Sequence, residues 1–170
     1  SEKLARMDEL MRRGLLTEAR SGKPYFTGYS YESLYDWDQY FEGIVQLYLG
    51  WGVKYLKSGV EIFLGAQRPD GFIPRAIDPP QMDRPNEASE MVKPFLCQIL
   101  ALVLREEGNV EFLLRDGLFD RLTAYLKHWL FGLDRRGAGL SYWRSAPHTG
   151  NRLMNSPARS LTDWPGFMNS

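Results

Sequence analysis

Residues 37–49 read WDQYFEGIVQLYL and decide the fold of this chain. Apolar side chains fall on nearly every face of a helix drawn through them, and such a helix belongs inside a larger assembly. The next helical pattern, Val53 to Gln67, has one polar face that carries Lys54 and Glu61. Gly50 to Gly52 join the two patterns, and so short a connection makes helices antiparallel neighbours. The stretch therefore predicts a helical hairpin with one buried and one solvent-facing helix.

The same alternation returns further along the chain. Ala88 to Arg105 is mostly apolar, with Pro94 predicting a kink or a true start nearer Lys93. Glu111 to Leu133 is amphipathic again, and an amphipathic helix over Glu2 to Arg20 precedes the first hairpin. We therefore expect an all-α fold of antiparallel helical hairpins. Its inner helices should be apolar on every face, and its outer helices should have one solvent-exposed polar face.

The connections alternate in length as the helices alternate in polarity. Those leading into the inner helices are long: Ser21 to Asp36, Arg68 to Glu87, and Asp134 to about Asn155. Because the short connections occupy the opposite end of the hairpins, the three long loops should lie together at one end. Loops longer than about 12 residues in a compact domain are usually functional. We expect the functional site at that end.

Composition excludes several classes of function. The 170 residues contain 21 basic and 21 acidic side chains, and this balance lacks the basic excess of a nucleic-acid-binding protein. Cys97 is the only cysteine, so neither an internal disulfide nor a cysteine-based zinc site is possible, and it is expected to be a small core residue. His128, expected to be half-buried and structural, and His148 lack the spacing of a metal site. We expect no cofactor, no metal and no nucleic-acid partner.

The longest apolar run, Ile99 to Leu104, is too short to cross a bilayer, so no membrane partner is expected. No apolar signal core follows Ser1. The compartment stays open, with the cytoplasm favoured, and so does the oligomeric state.

The first long loop delivers aromatic and acidic residues to the start of an inner helix. Aromatic residues such as Tyr35, Trp37 and Phe41 can stack on the apolar face of a sugar ring, although most of the aromatic residues of the chain are expected to fill its core. Asp36 or Asp38 could serve only as the N-cap of the helix.

The other long loops add basic and aromatic candidates. Arg75 can bind hydroxyls or a carboxylate, although Arg68 and Arg75 could also be surface arginines around a turn. Lys93 stands at the start of the second inner helix, and Trp143 and His148 lie in the third loop.

These residues carry a resemblance to a known family. Tyr35 to Phe41 resembles the aromatic-Trp-Asp motif of the (α/α)6-barrel glycosidases, the clan of trehalase and glycoside hydrolase family 63. Asp70 to Arg75, Lys93 to Phe95 and Tyr142 to Gly150 look most like the bacterial mannosylglycerate-hydrolase-like branch. The resemblance runs from about Tyr25 to Gly150.

The resemblance implies an inverting hydrolase of α-linked small sugars or oligosaccharides, with Trp37 and Asp38 lining the subsite of the released sugar. Members of the family take their general acid from a Gly-x-Asp-Asn type motif and their base from far downstream. Here Arg152 or Met154 stands where the acid should fall. We therefore assign substrate-binding residues but no catalytic residue, and we expect this chain to be inactive alone. Asn155 still echoes the end of the motif.

The expected organisation is a single domain over residues 1–170, with a leading helix over 1–21 and an atypical tail over 151–170. It corresponds to the N-terminal part of an (α/α)6 glycosidase catalytic domain, a partial toroid that is incomplete at its C-terminus. The alternative function is a non-catalytic sugar-binding or scaffold protein built on the same helical array. A different (α/α) barrel enzyme, such as a sugar epimerase or a lyase, is a third possibility.

Overall fold

The structure is a computed structural model that describes residues 2–28, 32–78, 95–134, 137 and 139. Its helices are α1 Glu2–Arg12, α2 Asp36–Tyr48, α3 Lys54–Gly65, α4 Leu96–Glu107 and α5 Leu118–Lys127, followed by a π-helical turn at His128–Gly132. Its strands are β1 Leu15–Thr17, β2 Pro24–Phe26, β3 Leu34–Tyr35 and β4 Ala76–Ile77. The predicted helical character is confirmed. Two small antiparallel sheets that were not predicted accompany the helices: β1 pairs with β2, and β3 pairs with β4.

The leading helix is shorter than its hydrophobic pattern predicts. It ends at Arg12, and Leu15 to Thr17 forms β1 instead of a further turn of helix. The cause is a long-range contact: Thr27 donates its backbone N–H to the carbonyl of Gly14 at 3.0 Å. A Cβ at Gly14 would lie 2.2 Å from the carbonyl oxygen of Thr27, so only glycine allows this approach.

Helix α2 does not have the inner position that its apolar composition predicts. It buries a polar and small face, made up of Asp36, Gln39, Gly43 and Gln46. Its aromatic side chains Trp37, Phe41 and Tyr48 are exposed. Helix α3, predicted to be an outer helix, buries seven of its twelve residues. The assignment of inner and outer helices is therefore wrong for this hairpin.

Glycines explain why α2 and α3 pack through the polar face of α2. A Cβ at Gly43 would lie 2.3 Å from Leu56 Cδ2, so the Leu56 side chain occupies that space. On α3, Gly59 makes the same kind of room for the buried side chain of Gln39. Two helices approach closely where one of them lacks a side chain, and here each helix supplies one such position.

The hydrophobic core joins α3 to α4. Leu56, Val60 and Phe63 of α3 share a buried cluster with Ile99 and Val103 of α4. Helix α4 buries this one face only, which corrects the expectation that it is buried all round.

The last predicted helix is also interrupted. The chain forms turns over 111–117, and α5 begins only at Leu118. Asp116 and Gly117 adopt positive φ angles of 49° and 70°, a conformation that cannot continue a right-handed helix. The predicted start of the second inner helix, between Ala88 and Lys93, lies outside the described residues.

Candidate functional site

Two of the three long loops meet at the start of α2. Strand β3 lies in the first loop and pairs with β4 in the second, and Asp36 donates its backbone N–H to the carbonyl of Arg75 at 3.1 Å. Ser33 donates its hydroxyl to Asp78 Oδ1 at 2.6 Å, which ties the loops together a second time. The Arg75 guanidinium lies over the Tyr35 ring, 5.9 Å from its centroid. The predicted convergence is confirmed for these two loops; the third falls largely outside the described residues.

The first turns of α2 present an aromatic surface, which we call the aromatic ledge and define as Trp37 and Phe41. Their side chains are 40% and 53% exposed, and their ring centroids lie 6.5 Å apart in an edge-to-face arrangement. Phe95 supports the ledge, 5.7 Å from Phe41. Asp38 lies next to the ledge on the same helix and is partly exposed. Exposed rings beside a carboxylate are suited to bind a ligand with apolar faces and hydroxyl edges.

Asp36 is the buried acid of this helix. Its residue is 5% exposed, and Oδ1 accepts the backbone N–H of Trp37 at 2.7 Å. The N-cap itself is Tyr35, which makes no side-chain capping bond. Burial, reinforced by the nearby Asp36 carboxylate, raises the pKa of Tyr125, so this phenol stays neutral. Asp36 is therefore a buried residue that accepts a backbone N–H at the start of α2, whereas Asp38 is partly exposed.

Glu42 is the residue that sequence reasoning missed. It follows Asp38 by one helical turn, is half-buried, and accepts the backbone N–H of Gly28 on Oε1 at 2.8 Å. Burial raises its pKa to about 7, and the Asp38 charge adds to this effect, although the Gly28 N–H opposes it. A signal was available: Asp36, Asp38 and Glu42 are the charged residues of α2, and the helix has no basic residue.

The second loop separates its two arginines. Arg68 donates to Asp70 Oδ2 at 2.6 Å and lies over the Phe72 ring, 4.4 Å from its centroid. The hydrogen bond from Arg68 lowers the pKa of Asp70 to about 2, and Asp70 also accepts the backbone N–H of Phe72. Arg68 thus belongs to the turn, whereas Arg75 joins the candidate site beside Tyr35.

His128 and Cys97, which could have had a chemical function, have structural roles instead. His128 is half-buried, and its Nδ1 contacts the carbonyl oxygen of Asp70 at 3.1 Å, which confirms the predicted structural role. Burial raises the pKa of the Cys97 thiol, as expected of a core cysteine and not of a nucleophile. Lys93, Trp143 and His148 lie outside the described residues.

Two general findings cover only the described part of the chain. Within it, no group of three or more His, Cys, Asp and Glu residues could hold a metal ion. Among the helices described, none is long and apolar enough to cross a membrane.

Five of the candidates are described, and all lie at or next to the start of α2: Trp37 and Phe41 form the ledge, Asp38 lies beside it on the helix, and Arg75 lies over the ring of Tyr35. Together they offer stacking rings, a carboxylate that accepts hydrogen bonds and a guanidinium that donates them. Comparison of the chain with family models, with curated proteins and with solved structures finds no match.

Proposed function

We propose that this region is the sugar-binding wall of an inverting α-glycoside hydrolase whose catalytic domain is an (α/α)6 toroid. The observation that supports the proposal is the pairing of β3 with β4. It brings Arg75 over Tyr35 beside Trp37 and Asp38, residues that are up to 40 positions apart in sequence. The same residues carry the motif resemblance.

Each side chain has a role that follows from its chemistry. The aromatic ledge stacks on the apolar face of a pyranose, Asp38 accepts hydrogen bonds from vicinal hydroxyls, and Arg75 donates to ring or hydroxyl oxygens. Inverting hydrolysis also needs a carboxylic acid that protonates the leaving oxygen and a carboxylate that activates water. These two groups stand roughly 6.5–9.5 Å apart in such enzymes. We assign neither of them here.

A second candidate is non-catalytic sugar binding on the same surface. The substitution of the expected acid by Arg152 or Met154 favours it, because neither side chain is a carboxylic acid. Both candidates require the aromatic ledge and Asp38 to contact sugar, and they differ only in turnover.

The first test is sugar binding by the 170-residue chain. We expect trehalose or mannosylglycerate to bind, and we expect Trp37→Ala and Asp38→Asn each to weaken binding by tenfold or more, about 1.4 kcal/mol. Tyr48→Ala is the matched control, because Tyr48 is an 89% exposed aromatic residue near the other end of α2. Isothermal titration calorimetry measures all four proteins.

Two results would contradict the proposal. The wild-type chain could fail to bind either sugar, or Tyr48→Ala could weaken binding as much as Trp37→Ala does. A separate proton NMR experiment follows any sugar that is released. The β-anomer as first product would support inverting hydrolysis by this chain, whereas binding without release fits both candidates, because neither expects this chain to turn sugar over alone.

A further inference from the structure

We propose that Glu42 is a further sugar-binding residue: Gly28 fixes one of its carboxyl oxygens, and the other holds a proton that is donated to a sugar oxygen beside Asp38. This inference rests on the proposed function and extends the site by one residue. Neither the motif resemblance nor the hydrophobic pattern assigns Glu42 a role.

The position of Glu42 on α2 supports this assignment. Residues 37, 38, 41 and 42 form two adjacent i, i+4 pairs, so Trp37, Asp38, Phe41 and Glu42 make one continuous patch on the helix. Glu42 therefore adds a second carboxyl group, next to Asp38, beside the aromatic ledge. It is half-buried, so part of the residue remains accessible to a ligand.

The contact with Gly28 sets the orientation of the carboxyl group. Gly28 donates its backbone N–H to Oε1 at 2.8 Å across fourteen residues of sequence. A Cβ at Gly28 would lie 2.7 Å from the same oxygen, so a glycine backbone is what lets the carboxyl come so close. With Oε1 occupied, Oε2 is the oxygen that can carry the proton.

The charges around Glu42 favour the protonated form. Asp38 is the charged group that acts on it, from one turn earlier on α2. On α3, which packs against α2, Lys57 pairs with Glu107, and Lys54 lies over the Tyr55 ring, 5.5 Å from its centroid.

A half-buried acid beside an anion, with no cation on its own helix, has its pKa raised. Its value of about 7 keeps a large fraction of Glu42 neutral near physiological pH. A neutral carboxyl donates one hydrogen bond and still accepts others, whereas a carboxylate only accepts. Asp38 and protonated Glu42 therefore offer an acceptor and a donor side by side, which matches two neighbouring hydroxyl groups of a sugar.

The test is the pH dependence of affinity for trehalose and for mannosylglycerate, measured by calorimetry from pH 5.5 to 8.5. We expect wild-type affinity to fall about fivefold to tenfold as Glu42 loses its proton. Glu42→Gln stays neutral, keeps an oxygen for the Gly28 N–H and donates from Nε2. Its affinity should stay within about threefold of the wild-type value at pH 5.5 and should not fall at pH 8.5.

Two further variants complete the experiment. Glu42→Leu should bind about tenfold more weakly than wild type at pH 5.5, and its affinity should not change with pH. Glu106→Gln, at an exposed acid on α4, should keep the wild-type pH profile. Circular dichroism confirms the fold of each, and a carboxyl carbon-13 NMR titration of the free chain reads the proton on Glu42 without any sugar.

The outcomes separate this inference from the proposed function. Sugar binding that is independent of pH, or a Glu42→Gln profile that follows wild type, would overturn the role of Glu42 and leave the proposed function standing. Absence of sugar binding at every pH would overturn the proposed function and this role with it.

Discussion

Gly71→Ala should destabilise the chain by about 3 kcal/mol or more, a large share of the 5–15 kcal/mol that holds a typical domain together. Gly71 has a φ of +86°, where a side chain costs about 1–2 kcal/mol. A Cβ there would also lie 2.3 Å from the carbonyl oxygen of Ala124, a backbone atom of α5 that cannot rotate away. The turn and α5 would have to separate, at a further cost of roughly 1–3 kcal/mol.

The separation should also break the polar contacts that fasten this turn to α5 and the turn that follows it. Gln67 donates from Nε2 to the carbonyl of Arg121 at 2.8 Å, and His128 contacts the carbonyl of Asp70. Urea denaturation followed by circular dichroism measures the loss of stability.

Gly22→Ala is the matched control. Gly22 has a similar φ of +67°, but nothing lies within 4 Å of the Cβ that alanine would add. It should therefore lose only the conformational part, about 1–2 kcal/mol. An equal loss in Gly22→Ala and Gly71→Ala would show that the close approach to α5 contributes nothing.

Gly59→Ala should cost about 2–4 kcal/mol and should also disturb the candidate site. The added Cβ would lie 1.6 Å from Gln39 Nε2, and Gln39 is only 2% exposed, so its side chain cannot move into solvent. Its hydrogen bond to the carbonyl of Tyr55, at 3.3 Å, would be lost as α2 moves away from α3. Because α2 carries Trp37 and Asp38, sugar affinity should fall together with the midpoint of thermal unfolding.

Two variants test this explanation. Gly65→Ala, at the end of the same helix, has nothing within 4 Å of its new Cβ and should raise stability by up to about 1 kcal/mol. Adding Gln39→Ala to Gly59→Ala should restore part of the lost stability, since it removes the side chain that clashes. No recovery in the double variant would refute the steric cause.

The hairpin helices were the most predictable elements of this fold. The pattern predicts helices over Trp37 to Leu49 and Val53 to Gln67, and the structure has them at Asp36–Tyr48 and Lys54–Gly65. Local periodicity and the glycines between these helices carry that information.

Two helices are shorter than predicted, for reasons that the periodicity of apolar residues does not contain. Gly14 makes a contact with Thr27, thirteen residues further on, and Asp116 adopts a left-handed conformation within an otherwise helical pattern. A pattern of apolar residues reports which segments can be helical, but not which distant backbone will pair with them.

The candidate site, too, was predicted from the sequence only in part. The sequence placed Trp37 and Asp38 at the start of α2, because the aromatic and acidic residues follow directly on a long loop. It could not distinguish the buried Asp36 from the partly exposed Asp38, nor identify Glu42 beside Gly28. These properties depend on which face of α2 packs against α3.

By itself, the sequence determined the helical character, the hairpin at residues 37–67 and the aromatic and acidic residues at its start. Only the tertiary structure decided that α2 turns its polar face inward, that Arg75 meets Tyr35, and that Glu42 is half-buried. The physical reason is that the buried face of α2 consists of Asp36, Gln39, Gly43 and Gln46, so the packing of this helix runs against its hydrophobic pattern. The direction comes from the missing side chains at Gly43 and Gly59, which make room for Leu56 and Gln39 of the facing helix.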